Sequence, residues 1–362
     1  MLKRKSLRGL LVTPLALALL VAGASAGGAA AANVYTVTNL VSDVPGEAAH
    51  VDPNLVNAWG LAAGPTTPWW VADNGTDVST LYAGDGDALP LVVQVEGAPT
   101  GLVFNGGSNF IVSDGAGHSG PSRFMFATES GTIRGWNPNV PPPPPSTQSF
   151  VVVDRSDVEA IYKGLATAST PDGDFIYATD FHNARVDVFD GDFNPVTNPG
   201  AFVDHGIPHG FAPFGIQNIG DQIFVTYAKQ DAEGEDDVAG QGLGFVDVFD
   251  TSGALLGRVA IRGQLNAPWG LALAPASFGR FGGDLLVGNF GDGKVNAYAR
   301  GPNGTFTYRG ALRGADGEAL SIDGLWALGF GNDAAAGPST TLFFTAGPDD
   351  EEHGLFGKIE AG

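Results

Sequence analysis

The chain has 362 residues, no cysteine, and 18 Lys+Arg against 39 Asp+Glu, for a formal net charge of −21. A surface this acidic repels phosphate backbones and anionic lipid, which argues against nucleic-acid partners. Without thiols there is no thiol catalysis and no thiolate metal centre, so any chemistry falls to oxygen and imidazole groups. Glycine, at 54 residues, is about twice its usual share and follows no collagen-like period, so it reads as turns between many short strands.

Residues 1–32 read as an export signal. Lys3, Arg4, Lys5 and Arg8 precede an apolar run from Leu10 to Val21, and small residues follow at Ala24-Ser25-Ala26 and Ala30-Ala31-Ala32. The apolar run is shorter than the roughly 20 residues a membrane span needs. Cleavage near 26 or 32 therefore leaves a secreted product with no membrane span and a single domain over residues 33–362. Val34 to Val41 alternates β-branched residues and reads as the first mature strand. Asp52-Pro53-Asn54-Leu55 has the residues of a one-turn helix start, with Asp as cap and Pro in the first position.

A repeating unit then begins. Its clearest copy runs from Ala267 to Tyr298: the turn Ala267-Pro268-Trp269-Gly270-Leu271, a strand at 284–290, the turn Gly291-Asp292-Gly293, and a strand at 294–298. Related units open at Asn57, Ala98, Tyr162, Ala212 and Asp323, and Val-Asp-Val-Phe-Asp occurs at both 186–190 and 246–250. A further apolar alternating run lies at 91–95, 150–153, 255–261 and 306–312. Units of four strands at a spacing of about 40 to 60 residues are the signature of propeller blades, so the fold expected is an all-β, six-bladed β-propeller with four-stranded blades. The last unit, ending at Ile359, has three strands of its own, and the N-terminal strand is expected to close it. The run Pro141 to Pro145 is expected as an exposed polyproline loop in blade two. The acidic run Asp231 to Asp237 is expected as a solvated insertion in blade four, since it lacks the register of a calcium loop.

Several of these stretches together resemble an uncharacterised family of exported bacterial six-bladed propeller proteins. They include Asn57-Ala-Trp-Gly-Leu61, Phe126-Ala-Thr-Glu129, Asp180-Phe-His-Asn183, Thr226-Tyr-Ala-Lys-Gln-Asp231, Gly288-Asn-Phe-Gly-Asp-Gly293 and Thr345-Ala-Gly-Pro-Asp-Asp350. The resemblance spans nearly the whole mature chain and implies fold and export, without a chemistry. Some members of that family end in a PEP-type sorting tail, and no such tail is read in the sequence up to Gly362.

In a propeller, the loops between second and third strands and those between blades surround one mouth of the central channel. The pattern places polar groups there in every blade: Asp73 and Asn74, Thr128 and Glu129, Asp180 and His182, Tyr227, Lys229 and Gln230, Asn289, and Asp349 with His353. Taken singly, such residues cap their own turns; taken as a ring, they form a concave site on a rigid scaffold. The ligand-binding candidates are Asp73, Asn74, Thr128, Tyr227, Lys229, Gln230 and Asp349. The metal candidates are Glu129, Asp180 and Asn289, with calcium the cation their oxygens suit. His182 and His353 are the candidates for proton transfer. Trp59, Phe214, Trp269 and Trp326 share one blade-opening position and read as wedges between blades or, alternatively, as a sugar-stacking platform. The function expected is a monomeric secreted module whose channel mouth binds a small molecule or a protein or peptide partner. The alternative is a calcium-dependent lactonase- or esterase-like hydrolase.

Overall fold

The repeats fold as antiparallel meanders, and the first strand of each stands beside the first strands of its two neighbours, blade six returning to blade one. The computed structural model describes residues 32–362; the export-signal reading of the residues before them lies outside that range. The chain enters through β1 (Tyr35–Ser42) and β2 (His50–Val51). Blade one is β3 (Ala58–Ala62), β4 (Trp69–Asp73), β5 (Val78–Tyr82) and β6 (Val93–Gln94). Blade two is β7 (Pro99–Phe104), β10 (Phe124–Thr128), β11 (Thr132–Trp136) and β12 (Phe150–Asp154), with a side hairpin, β8 (Ile111–Ser113) and β9 (Ser119–Pro121), between its first two strands. Blade three is β13 (Tyr162–Thr170), β14 (Gly173–Asp180) and β15 (Arg185–Asp190). Blade four is β16 (Phe211–Ile219), β17 (Gln222–Lys229), β18 (Gly244–Asp250) and β19 (Leu255–Ile261). Blade five is β20 (Pro268–Leu273), β21 (Leu285–Asn289), β22 (Val295–Arg300) and β23 (Phe306–Ala311). Blade six contributes β24 (Leu325–Phe330), β25 (Leu342–Ala346) and β26 (Leu355–Ala361).

The N-terminal strand closes the ring as the repeat count requires. β1 lies antiparallel on β26, from Tyr35 opposite Ala361 to Ser42 opposite Leu355, and supplies the fourth strand of blade six. Tyr35, Leu40 and Val41 are buried in that seam. In blade three the outer position is held by an irregular segment, tied to β15 where Val196 N–H donates to Val188 O at 2.8 Å and Asp190 N–H to Asn194 O at 2.9 Å. Pro195 and Pro199 remove donors that a regular fourth strand would need.

The glycine of each blade-opening motif has a packing reason. A Cβ on Gly60 would stand 2.3 Å from Thr100 O, on Gly215 2.1 Å from Trp269 O, and on Gly270 2.5 Å from Trp326 O. The inner strands of neighbouring blades approach too closely there for any side chain. Each strand also shifts register across these residues, and in blades three, four and six a threonine on the second strand bonds the displaced backbone. Thr179 Oγ1 accepts from Gly164 N at 2.7 Å and donates to Phe214 O of the next blade at 2.7 Å. Thr345 does the same between Ala327 and Trp59.

Three local expectations are corrected. Asp52–Leu55 is a turn and no helix: Asp52 accepts from Asn54 N at 2.9 Å and from Leu55 N at 3.1 Å, and the chain then enters β3. The proline run is exposed but bends, because Ser146 N–H donates to Pro138 O at 2.9 Å and brings its ends together. The aromatic residues at the blade-opening positions do not wedge between blades. Trp59 of blade one lies 6.3 Å from Trp269 of blade five, and Phe214 of blade four lies 5.8 Å from Trp326 of blade six, centroid to centroid. Blades that are not neighbours meet only across the centre, so these rings plug the channel.

Candidate functional site

Two blades break the aromatic pattern at the plug. Where blades one, four, five and six carry Trp59, Phe214, Trp269 and Trp326, blade two has Thr100 and blade three has Lys163. The Lys163 side chain is only 2% exposed, and its ammonium stands 5.0 Å from the centroid of the Trp59 ring. A charge so deep needs partners. It bonds the Glu129 carboxylate from blade two and, at 3.1 Å, Asp236 Oδ1 from the insertion of blade four. Burial alone would push the ammonium down; the two carboxylates outweigh it and hold Lys163 above the usual lysine range.

A polar network runs outward from this pair across the mouth. Asn74 Nδ2 donates to Glu129 Oε2 at 3.0 Å, and Asn57 Nδ2 donates to Asn74 Oδ1 at 3.2 Å and to Glu351 Oε2 at 2.6 Å. Asn57 Oδ1 accepts the indole N–H groups of Trp59 at 2.8 Å and Trp326 at 3.0 Å, which joins the network to the plug. Residues from five blades therefore converge on one mouth. Glu351 is pushed up from the usual glutamate range, first by burial. Asp237, next to Asp236, is pushed up to about 7 by burial, against the pull of Lys163 and with Glu351 and Asp236 adding to it.

The acidic insertion thus departs from a fully solvated loop. Ala232, Glu233 and Glu235 are exposed, but the loop doubles back where Asp231 N–H donates to Asp236 O at 2.9 Å, and Asp236 and Asp237 face Lys163. Asp237 Oδ2 is buried without a hydrogen-bond partner.

Of the residues expected at the mouth, Asn74 and Glu129 belong to the network. The others serve local structure. Asp73 is buried and accepts from Thr80 N at 2.9 Å, and burial pushes its carboxyl well above the usual range. Thr128 bonds Thr132 across its own turn. Asp180 accepts from Asn183 Nδ2 at 2.8 Å and pairs with Arg185 at 3.1 Å. Asn289 Nδ2 donates to Gln264 O at 2.8 Å and to Asp292 Oδ1 at 2.9 Å. Glu129, Asp180 and Asn289 each meet partners of their own, and among the described residues no three His, Asp or Glu groups are placed to hold a metal ion. The cation that Glu129 meets is the Lys163 ammonium.

Tyr227 is turned into the core between blades three and four. Lys229 Nζ donates to Gln230 O at 3.1 Å, and Gln230 Nε2 bridges to Phe181 O at 2.7 Å in blade three. Asp349 is an exposed turn residue whose N–H donates to Asp323 Oδ2 at 3.0 Å. His353 Nδ1 bonds Asp43 Oδ2 at 2.8 Å, a contact that raises its pKa. His182 has a buried Nδ1 without a partner, and the two histidines make no bond to each other. Lys163, Asn57, Asp236, Asp237 and Glu351 were not among the expected residues. The legible signal was Lys163 itself, a lysine at the position where four other blades carry an aromatic ring before the same Gly-Leu or its equivalent.

The channel is therefore closed by the aromatic plug. Beyond the plug its wall is a ring of Leu61, Leu102, Leu165, Ile216, Leu271 and Leu328 around a void of about 20 Å³, and it then opens at the opposite end into a cavity of about 380 Å³.

No protein-family model matches the chain. It is 33% identical over 346 residues to the uncharacterised protein R648 of Acanthamoeba polyphaga mimivirus, across 91% of this chain and 81% of that one. With the uncharacterised protein L690 of the same virus it shares 32% identity over 342 residues, across 90% and 85%. Among solved structures, the soluble aldose sugar dehydrogenase of Escherichia coli superposes with a TM-score of 0.52 at 12% identity, covering 91% of this chain and 100% of that one. A Bacteroides thetaiotaomicron protein of unknown function gives 0.55 at 10% identity, covering 90% and 76%. A streptogramin B lyase gives 0.50 at 10% identity, covering 91% and 97%. At such identities these structures share the fold alone.

Proposed function

The chain belongs to the family of the mimivirus proteins R648 and L690, and from that premise we propose that it is a binding module working at the Lys163 mouth of its channel. The ligand is a small molecule, or a loop of a protein partner, that presents a carboxylate to Lys163. One observation carries this reading. Lys163 has two carboxylate partners of unequal standing: Glu129 is held by Asn74, whereas Asp236 comes from an insertion loop and its side chain is 74% exposed. An exposed ion-pair partner contributes little, so an incoming carboxylate can replace Asp236 on the ammonium without leaving it unpaired. Asn74, with one amide hydrogen on Glu129, has its second as a donor, and Glu351 offers its other carboxyl oxygen as an acceptor for the rest of the ligand. The N-terminal pattern of basic, apolar and small residues supports secretion of the module.

Titration calorimetry with citrate, gluconate and acetate, on the native chain and on Asp236→Ala and Lys163→Met, tests the reading. Tighter binding to Asp236→Ala and loss of binding in Lys163→Met is the expected pattern; binding indifferent to both substitutions removes it. The calcium-dependent hydrolase alternative is tested beside it by titrating chelator-stripped protein with calcium, using Glu129→Gln and Asp180→Asn. Binding tighter than millimolar that both substitutions weaken would favour that alternative.

A further inference from the structure

Blade three leaves part of its outer edge open. In the other five blades a fourth strand pairs the third at the end nearest the Lys163 mouth: Val78 lies opposite Gln94, Thr132 opposite Asp154, Phe245 opposite Ile261, Asn296 opposite Ala311 and Leu355 opposite Ser42. On β15 the irregular segment reaches only the other end, through the Phe189–Pro195 bridge and the bond from Val196 N–H to Val188 O. In an antiparallel strand the N–H and C=O of one residue face the same edge, and alternate residues face alike. Val186 therefore turns both groups outward, in line with Val188. Among the described residues, Val186 N–H, Val186 O and Val188 N–H have no backbone partner on that side.

A cavity of about 590 Å³ lies along this edge, within the range of about 300 to 1,000 Å³ usual for binding pockets. Val186 and Val188 line it from one face of β15, and Asp187 and Phe189 from the other, so it sits where the missing half-strand would run. Its charges divide between the two ends. Asp172 stands at the far end, on the β13–β14 turn, and Arg155 and Arg185 stand at the end nearest the mouth. Arg185 is engaged by Asp180 at 3.1 Å and by Asp187 at 2.7 Å, and Asp187 also accepts from the Tyr162 hydroxyl at 2.8 Å. Arg155 is different. Its nearest carboxylate oxygen, Asp187 Oδ2, is 4.0 Å away, beyond hydrogen-bond reach, and its side chain is 28% exposed. A guanidinium with its donors unspent suits a carboxylate, which it can hold in a two-pronged fork.

We propose that this edge takes the C-terminal tail of a protein partner, added as the missing half of the fourth strand of blade three. Open strand edges are templates for pairing, and strand addition is a common mode of peptide recognition. The direction follows from the blade itself. A tail that continues the slot of residues 194–196 runs antiparallel to β15 and finishes beside Arg155, so its terminal carboxylate meets the open guanidinium. In a chain of net charge −21, the two arginines supply the local counter-charge. The backbone of the tail pairs with the open groups of Val186 and Val188. Side chains alternate along a strand, so every second residue of the tail is apolar, covering Val186, Val188 and Phe202, and those between are polar beside Asp187. The groove lies on the rim of the ring, outside the channel that Lys163 occupies, and does not rest on the ligand proposed there.

The test follows the fluorescence anisotropy of a labelled peptide, Gly-Ser-Thr-Val-Thr-Val, with a free C-terminal carboxylate. Saturable binding is expected, and about tenfold weaker binding of the C-terminal amide, which loses the charge-assisted bonds to arginine. Methylating the peptide's backbone nitrogens one at a time should weaken binding at alternate positions, because only every second N–H faces β15. Arg155→Gln, with its fold checked by circular dichroism, should weaken the acid and leave acid and amide bound alike. Absence of saturable binding overturns the proposal, as does equal binding of acid and amide to the native chain. Binding untouched by Arg155→Gln, or methylation losses without alternation, would place the peptide elsewhere, at the Lys163 mouth for example, and also overturn it. So does a dimer in light scattering that Val186→Pro converts to monomer, since the edge would then belong to a second copy of this chain.

Discussion

Lys163 Nζ stands 5.0 Å from the centre of the Trp59 ring although the two residues belong to blades separated by a third. The ammonium reaches across the channel, with an aromatic face on one side and carboxylates on the other. It is a positive charge among converging acidic loops, supplied by the chain itself.

Replacing Lys163 with Met should therefore cost about 3 kcal/mol or more, the usual loss when one partner of a buried pair is removed. The loss should be larger at pH 8 than at pH 5, because Glu351 and Asp237 take up protons more readily than ordinary carboxylates and relieve the repulsion in acid. Denaturant unfolding at the two pH values measures both. Adding Glu129→Gln to the variant should recover part of the stability, and equal losses at both pH values would contradict the charge argument.

Asp237 gives a second pH signature. An aspartate titrates near 3.8 when unperturbed, and burial pushes this one up to about 7 in the folded chain. Between those values the folded state holds a proton that the unfolded state has released, so the contribution to stability falls as pH rises through the window and levels off above it. Asp237→Asn should remove that fall. The variant should gain over the native chain at pH 8 and lose most of the gain at pH 5, read as the shift in denaturant midpoint.

The inner-strand glycines make a steric prediction with an internal control. An alanine at Gly215 would place Cβ 2.1 Å from Trp269 O and push blades four and five apart, at a cost of about 3 kcal/mol or more. Gly257, on β19, has nothing within 4 Å of an added Cβ, so Gly257→Ala should change stability by less than about 0.5 kcal/mol. Thermal unfolding of the two variants under one condition decides it. Similar melting temperatures would show that the inner strands do not limit the approach of the blades.

Ring closure is tested by truncation. A chain starting at Ala49 lacks β1 and exposes the edge of β26, with the seam residues Tyr35, Leu40 and Val41 gone. Unpaired edges invite association, so light scattering should show aggregation and the melting temperature should fall. A monomeric truncation that melts with the full chain would mean that the seam contributes nothing.

Local pattern was enough to read the blades. Alternation, glycine turns and the recurring Gly-Leu motif mark nearly every inner strand because each blade repeats one supersecondary unit, and the unpaired Val34–Val41 run pointed to its own partner. Period and turn chemistry are properties of neighbouring residues, so they survive in one dimension. The outer position of blade three and the side hairpin of blade two were not legible, since an irregular segment and a short insertion leave no period.

The site divided along the same line. That polar residues gather at one mouth follows from their place after the second strands, and Asn74 and Glu129 were found that way. Which of them meet was decided by the ring, which brings Asn57, Glu129, Lys163, Asp236 and Glu351 together from five blades. Asp180 and Asn289 have the same residue chemistry and the same blade position, yet each turns back to its own loop, where a partner lies within three residues. The cavity at the far end of the channel is wholly a product of tertiary structure. Its wall is drawn from the ends of five inner strands that lie far apart in the sequence and meet only once the blades are packed.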